Sequence, residues 1–540
     1  MAPLMDGLAP NREASRGVVV LIGFQKIGNL GIGYLSAVLR RAGFDVRVVD
    51  IEGSPADIVD RVIAGRPVLV GFSLIFQYYI RRYGDLMMRL RAAGVDCHFT
   101  MGGHYPSLNP QQTLEAVPEL DSVVQFEGET TLLELVEALL TGENWRTLNG
   151  VIHLEDGRCV VNKARRLTED LDTLPFPDRD FAPTEILGRR GMPLLASRGC
   201  ARTCSFCSIH TFYRTAPGKV VRLRKTTEVI REMRQLNEER GIAIFLFQDD
   251  DFPLFGPKWR RWANDLVDEL HASGLSRKVI WKINCRADAV EPELLGRMRD
   301  AGLYMVYMGL ESGDEQGLIT LNKEITVAQN LAAVRMLKSI GIRFEYGFML
   351  LDPSSTFDSV RANVRFLREI VGDGCAAATF CKMLPYDGTP IKEALAASGR
   401  LKGDVCAPDY DFLDPRLDDF YAELARVVDV TGWVHGPRAL TLQLGWAHTE
   451  LAVIRSLFPR LRGTDDYEQE LRRLTAQSNA RLLEVVETLA GVHETGRGTS
   501  PDPEALRGYC SEILARVLAE RNDFVGGNEA ILLEALEVAA

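Results

Sequence analysis

CARTCSFC, residues 200–207, places Cys200, Cys204 and Cys207 within eight positions of a 540-residue chain that holds ten cysteines. Three chemistries suit clustered thiols: a disulfide, a structural zinc clip, or the mount of an iron–sulfur cluster. The first residues, MAPLMDGLAPNREASRG, lack a charged-then-apolar leader pattern, and no run of 18 apolar residues follows. The expectation is a cytoplasmic protein, where thiols stay reduced and clustered cysteines bind metal rather than pair. Cys97, Cys159, Cys285, Cys375, Cys381, Cys406 and Cys510 are scattered singly and read as small buried hydrophobes. The spacing C-x3-C-x2-C can hold three irons of a [4Fe–4S] cube whose complete ligand set is four. The remaining iron then keeps an open position, which separates a reactive metal site from a structural one. His210 extends the pattern to C-x3-C-x2-C-x2-H, a possible Cys3His zinc clip, although no second knuckle follows. Spacing alone leaves both metal readings open.

Composition narrows the partners. Hydrophobic residues at 46% and charged residues at 25% are those of an ordinary globular protein. The net charge of −11 advertises no basic surface, so neither nucleic acid nor an anionic membrane is an expected partner. Length predicts two to four domains.

Residues 17–142 alternate strand-like runs, GVVVLIGF (17–24), DVRVVDI (45–51), PVLVGFSL (67–74), CHFTMGG (97–103) and SVVQFEG (122–128), with helical stretches of ten or more residues. That alternation predicts an α/β fold, a doubly wound Rossmann-like domain over 1–145. GNLGIG (28–33) has the wrong glycine spacing for a dinucleotide fingerprint. Residues 146–190 read as a connector with a hairpin candidate at 150–161. A second series opens at MPLLASRGC (192–200), with later strands at 243–252, 279–288, 304–312, 343–351 and 377–385. Six strands separated by helices predict a partial (β/α)6 TIM-type barrel over 191–395. Amphipathic helices predominate from 396 to 540, with a linker at 491–503, and this stretch reads as a C-terminal helical domain. The cysteine loop follows the first barrel strand, and in such sheets ligands bind at the carboxyl ends of strands.

CARTCSFCSIHTFYR (200–214) resembles the signature loop of the radical S-adenosylmethionine (radical SAM) superfamily. The resemblance continues through RLRKTTEVIREM (222–233), FQDDDF (247–252), NCRAD (284–288), MGLESGDEQGLITLNKEIT (308–326) and GFMLLDP (347–353). The N-terminal domain, ending in QFEGETTLLELVEAL (125–139), resembles the cobalamin-binding domain fused to one branch of that superfamily. The resemblance implies a [4Fe–4S] cluster on Cys200, Cys204 and Cys207, SAM chelated to the open iron, and cobalamin in the first domain. It implies a methyltransferase in which a 5′-deoxyadenosyl radical takes hydrogen from an unactivated carbon of a natural product or peptide, which then receives a methyl group from methylcobalamin.

Matching positions imply SAM contacts at Phe206, Arg286, Glu311, Ser312 and one of Asp249, Asp250 and Asp251, with Asp250 and Asp251 preferred; the family's paired glycines are missing there. An aspartate would accept from the SAM ammonium, and Arg286 would pair with its carboxylate. Cobalamin contacts are implied at Gly71, Ser73, Gly102, Gly103, Glu127 and Gly128. DCHFTM (96–101) lacks the glycine of the cobalt-ligating histidine motif, so His98 reads as an ordinary strand residue and cobalamin as base-off. The helical tail would shape the substrate pocket, with Tyr386 and Asp387 facing it, and its histidines, His435, His448 and His493, read as structural. The implied partners are a small-molecule or peptide substrate and an electron donor such as flavodoxin or ferredoxin. Rival readings are the same cofactors used for cyclisation, ring contraction, oxidation or non-methyl transfer, and a non-catalytic zinc scaffold. A methylthiotransferase is disfavoured, because the first domain holds only Cys97.

Overall fold

The computed structural model describes residues 15–26, 28–434 and 436–537. They form two compact units: one of residues up to 168 with 173–182 and 215–218, the other of 169–172, 183–214 and 219 onward.

The first unit is built on a seven-stranded sheet: β1 (Val18–Gly23), β2 (Asp45–Asp50), β3 (Leu69–Ser73), β4 (His98–Gly102), β5 (Ser122–Val124), β6 (Val151–Glu155) and β7 (Arg158–Val161). The order is β2-β1-β3-β4-β5-β6-β7, with β1 to β5 parallel. VVVLIG has no polar face because β1 is a central strand covered on both sides, whereas edge strand β2 alternates exposed and buried residues. The chain leaves β1 into the helix Leu30–Arg41, whose first turn is capped by Asn29 Oδ1 accepting from Ile32 N at 3.0 Å. Chain direction across the sheet reverses at β1 and β3, which opens a crevice beyond their carboxyl ends.

The hairpin at 150–161, assigned from the sequence to a connector, instead extends this sheet as β6 and β7. Val151 and Ile152 are fully buried, and they reach that burial by pairing antiparallel with β5. The far end of the expected connector likewise belongs to the second sheet, supplying its antiparallel edge strand at Thr184–Ile186.

The second unit contains β8 (Thr184–Ile186), β9 (Arg189–Leu194), the short pair β10 (Ser197–Arg198) and β11 (Arg222–Leu223), then β12 (Ile242–Phe247), β13 (Ile280–Cys285), β14 (Leu303–Glu311), β15 (Arg343–Leu351) and β16 (Cys381–Lys382). Its main sheet runs β16-β15-β14-β13-β12-β9-β8, six parallel strands and one antiparallel edge strand, β8. One cavity touches β9, β12, β13, β14 and β15 together, so the sheet curls into an open barrel. Along β15 the alternation separates two chemistries. Phe344, Tyr346, Phe348 and Leu350 are buried on the outer face, where Phe348 stacks on Phe366 of the helix Phe357–Val371 at 5.6 Å. Arg343, Glu345, Gly347 and Met349 face inward and are only half-buried.

The helices Pro415–Thr431, Leu440–Leu457, Thr464–Thr495 and Pro503–Gly527 pack in the same compact unit as the sheet. Thr464–Thr495 runs five residues into the expected linker and stops at Gly496, in left-handed conformation. Asn479 ties this helix to the segment after Phe357–Val371. Its Nδ2 donates to Val371 O (2.8 Å) and Ala376 O (2.9 Å), and its Oδ1 accepts from Ala378 N (2.7 Å). His448 is buried against Thr475 Oγ1 (2.9 Å) and His493 meets Glu423 (2.7 Å), so both serve packing; His435 lies outside the described residues. Asp387 pairs with Lys392 at 2.6 Å. Among the described residues no helix is long and apolar enough to cross a membrane.

Gly374 has φ +73°, and a Cβ there would overlap the Arg472 carbonyl of the long helix. Gly374→Ala should therefore cost about 2–4 kcal/mol in chemical denaturation. Gly399→Ala, at φ +69° in open space, should cost only about 1 kcal/mol.

Candidate active site

The cysteine loop is held from both sides. At its start Gly199 sits at φ +90° so close to Val220 that any Cβ would overlap the Val220 carbonyl, and its N–H donates to Asp250 Oδ2 at 2.9 Å. On the other side residues 320–323 grip it: Ser205 N donates to Leu321 O (3.0 Å), Ser205 Oγ to Thr320 O (2.8 Å), and Asn322 Nδ2 to Thr203 O (2.7 Å). Cys204 is buried and Cys200 and Cys207 are half-buried, with Cys207 closing a turn onto Cys204 O before the helix Ser208–Thr215.

Beneath the loop lies a buried charge network. Lys323 Nζ donates to Glu311 Oε1 at 2.9 Å, and Arg286 Nη2 donates to the Lys323 carbonyl. Arg286 Nε donates to Asp288 Oδ1 at 2.9 Å, Arg202 Nη2 donates to Asp288 Oδ2 at 3.0 Å, and Arg286 Nη1 reaches Cys204 Sγ at 3.7 Å. Burial lowers the pKa of Lys323, but Glu311 and Cys204 more than offset it, so the amine is held charged. Burial pushes Cys200 up to about 12, aided by Asp251, and Cys207 up to about 11. These thiols ionise only with compensating positive charge beside them, which bound iron provides.

The three aspartates after β12 have three fates. Asp249 is fully buried, accepting from Ala196 N (3.2 Å) and Ser197 Oγ (2.5 Å), and burial raises it to about 7. It fastens β12 to the end of β9 and is spent there. Asp250 is exposed and holds Gly199. Asp251 Oδ1 is buried with no hydrogen-bond partner. Burial raises Asp251 to about 6, with Arg286, Arg202 and Lys323 acting against the shift. Ser312 is fully buried, its hydroxyl donating to Asn363 Oδ1 (3.2 Å) and accepting from Asp314 N (3.1 Å), so it serves the end of β14. Glu311 sits at φ +64°, half-turned out of the strand, and Phe206 is half-buried in the loop. The structure thus gathers Cys204, Asp251, Arg286 and Glu311 and turns Asp249 and Ser312 to the scaffold. Lys323, Asp288 and Arg202 were not singled out from the sequence, because a charged residue in a loop carries no periodic signal of burial.

Two facts bear on zinc. Among the described residues no three His, Cys, Asp or Glu side chains converge as ligands of one ion. Three thiolates on a cube bind three different irons and need not converge. Second, His210 Nδ1 is buried without a partner, while burial lowers the ring's pKa.

In the first unit the glycines at the crevice are explained by strand packing. A Cβ at Gly71 would lie 2.9 Å from Leu21 Cδ2, at Gly102 3.2 Å from Val124 O, and at Gly128 3.2 Å from Val124 Cγ1. Gly103, at φ +116°, crosses so close to Leu74 that a Cβ would overlap its carbonyl. Ser73 O accepts from Tyr83 Oη at 2.7 Å, and Glu127 Oε2 from Thr168 N at 2.8 Å. Packing and backbone contacts thus account for all six residues, with Gly71 inside β3 rather than at its end. Gln25, just beyond β1 where the sheet order reverses, is buried, and its Nε2 has no partner. An orphaned amide donor at that crevice suits an amide-bearing ligand such as cobalamin. His98 is buried against Ser122 Oγ (2.8 Å) and lowered to about 4 by burial, an interior strand residue.

Residues 18–136 match the B12 binding domain and residues 194–367 the radical SAM superfamily. The chain therefore belongs to the radical SAM enzymes that carry a B12-binding domain. It is 28% identical over 400 residues to an uncharacterized methyltransferase of Pyrococcus horikoshii, covering 73% of this chain and 83% of that one. It is 29% identical over 306 residues to the anaerobic magnesium-protoporphyrin IX monomethyl ester cyclase of Cereibacter sphaeroides, covering 55% of this chain and 48% of the cyclase. The cobalamin-dependent S-adenosylmethionine radical enzyme OxsB with aqua-cobalamin bound shares the fold, with TM-score 0.65 over 93% of this chain and 84% of that chain at 18% identity.

Cys200→Ala, Cys204→Ala and Cys207→Ala should each reduce iron after anaerobic reconstitution from about four per chain to near zero. His210→Ala should leave the iron count unchanged, measured by the same colorimetric assay.

Proposed function

We propose that this chain is a cobalamin-dependent radical SAM methyltransferase that places a methyl group on an unactivated carbon of a small natural product or peptide. The observation that carries the reading is a loop of three thiols, with no fourth, at the carboxyl end of the barrel beside an unpartnered buried carboxylate oxygen, Asp251 Oδ1. When bound, the cluster and SAM supply a radical able to take hydrogen from carbon, and cobalamin supplies the methyl group. Cys200, Cys204 and Cys207 would hold the cluster, and Asp251 would accept from the SAM ammonium. Arg286 reaches Cys204 Sγ at 3.7 Å, and its donors toward Asp288 and Lys323 O fix its plane. Glu311, clamped by Lys323, offers its remaining oxygen at the mouth of the barrel. Gln25 and the crevice of the first sheet would hold cobalamin. Electrons would come from a flavodoxin or ferredoxin.

The likeness to a cyclase supports a second reading, in which the same cofactors form a ring without transferring methyl. Anaerobic turnover with methyl-deuterated SAM separates the two. Label in the product, with S-adenosylhomocysteine and 5′-deoxyadenosine in equal amounts, is the expected result. 5′-Deoxyadenosine with unlabelled product would establish the cyclising reading instead. Replacing dithionite by reduced flavodoxin should sustain turnover.

A further inference from the structure

The inner face of the second sheet is not filled by the branched apolar residues that close a complete barrel. A cavity of about 470 Å³ opens there, lined by residues of six strands and of the helix Leu440–Leu457. That volume lies within the usual range of small-molecule sites.

Its charges do not balance. Lys282 on β13 and Arg343 and Glu345 on β15 all line it. Arg343 Nη2 donates to Glu345 Oε1 at 3.0 Å and to Gly445 O at 3.1 Å, and Thr449 Oγ1 donates to the same Glu345 oxygen at 3.2 Å. Two cations thus line the cavity with one carboxylate, which is already hydrogen-bonded twice. Arg343 Nε is buried and has no partner. Burial depresses the pKa of Lys282, and Glu345 opposes the shift. An unspent buried donor and a surplus positive charge both call for an anionic acceptor.

Part of the lining is apolar and open. Leu442 and Trp446 stand one turn apart on one helix face, line the cavity, and remain 54% and 44% exposed. Tyr307, 38% exposed, also lines it and feels both Glu345 below and Glu311 at the mouth. The cavity is therefore amphiphilic, lined by a cationic patch and by exposed apolar side chains.

We propose that this cavity seats an organic anion, with its carboxylate or phosphate against Lys282 and Arg343 and its apolar body against Leu442 and Trp446. Identifying that anion as the substrate rests on the methyltransferase reading; the binding itself does not.

The test uses the reconstituted full chain without SAM, titrated calorimetrically with 4-phenylbutyrate, 2-phenylethyl phosphate and the neutral 4-phenylbutyramide. One of the anions should bind about tenfold more tightly than the amide, and which one does so assigns carboxylate or phosphate. Lys282→Met should abolish the preference, Glu345→Gln should tighten anion binding several-fold, and Trp446→Ala should weaken all three probes alike. An amide that binds as well as both anions would overturn the proposal, as would a wild-type chain that binds no probe. So would a preference that survives in natively melting Lys282→Met protein. If Lys282→Met does not fold, the near-isosteric Glu345→Gln decides: anion affinity unchanged or weakened contradicts the assignment. A negative binding result leaves SAM cleavage and methyl transfer untouched, and a failed methyl-transfer assay leaves the binding result standing.

Discussion

Lys323 organises the mouth of the barrel. Its ammonium pairs with Glu311 at the end of β14, its carbonyl receives Arg286 from the end of β13, and its neighbours Thr320, Leu321 and Asn322 hold the cysteine loop. Removing one partner of such a buried pair costs about 3–5 kcal/mol, whereas an intact pair contributes little net stability. Its consequence is positional. Two strand ends and the loop between Cys200 and Cys207 are referred to one lysine, and Arg202 and Asp288 extend the frame. A loop that is to hold a cluster needs that rigidity, because thiolates must meet irons at fixed separations and the loop itself carries only three.

The parallel sheet explains why the site lies where it does. In the main sheet β9, β12, β13, β14, β15 and β16 point the same way, so residues at or just past their carboxyl ends, Asp251, Arg286 and Glu311, collect at one end. The same geometry leaves the inner face of β13 to β15 open, since Lys282, Asn284, Tyr307, Gly309, Glu345 and Gly347 are too polar or too small to fill it. Stability comes from the outer face, where Phe344, Phe348 and Leu350 pack against helices. The division of labour is written into the alternation of each strand.

Much of this was legible in the chain. The parallel strands of both sheets announced themselves as apolar runs between helical stretches, and CARTCSFC marked the three-thiol loop. What escaped was of three kinds. The hairpin β6–β7 is short, and nothing local shows that Val151 and Ile152 would find β5. Glycines near a ligand crevice look like ligand glycines, yet Gly71 and Gly103 are small because Leu21 and Leu74 pass beside them. Asp249, Asp250 and Asp251 are identical in kind and consecutive, so only burial and partners separate the one that ties down β9 from the one with an unused oxygen. Gln25, Lys282 and Lys323 carry no motif; an unpaired or surplus polar group becomes visible only when the atoms around it are known.

An iron left without a fourth thiol would be the centre of the proposed mechanism, and electron paramagnetic resonance would report on it directly. The reduced, reconstituted protein should give the spectrum of a [4Fe–4S]+ cluster whose g values shift when SAM is added, as a ligand enters the vacant position. A spectrum indifferent to SAM, from a protein with a full complement of iron, would mean that the fourth position is closed and that the three-thiol loop does not bind SAM.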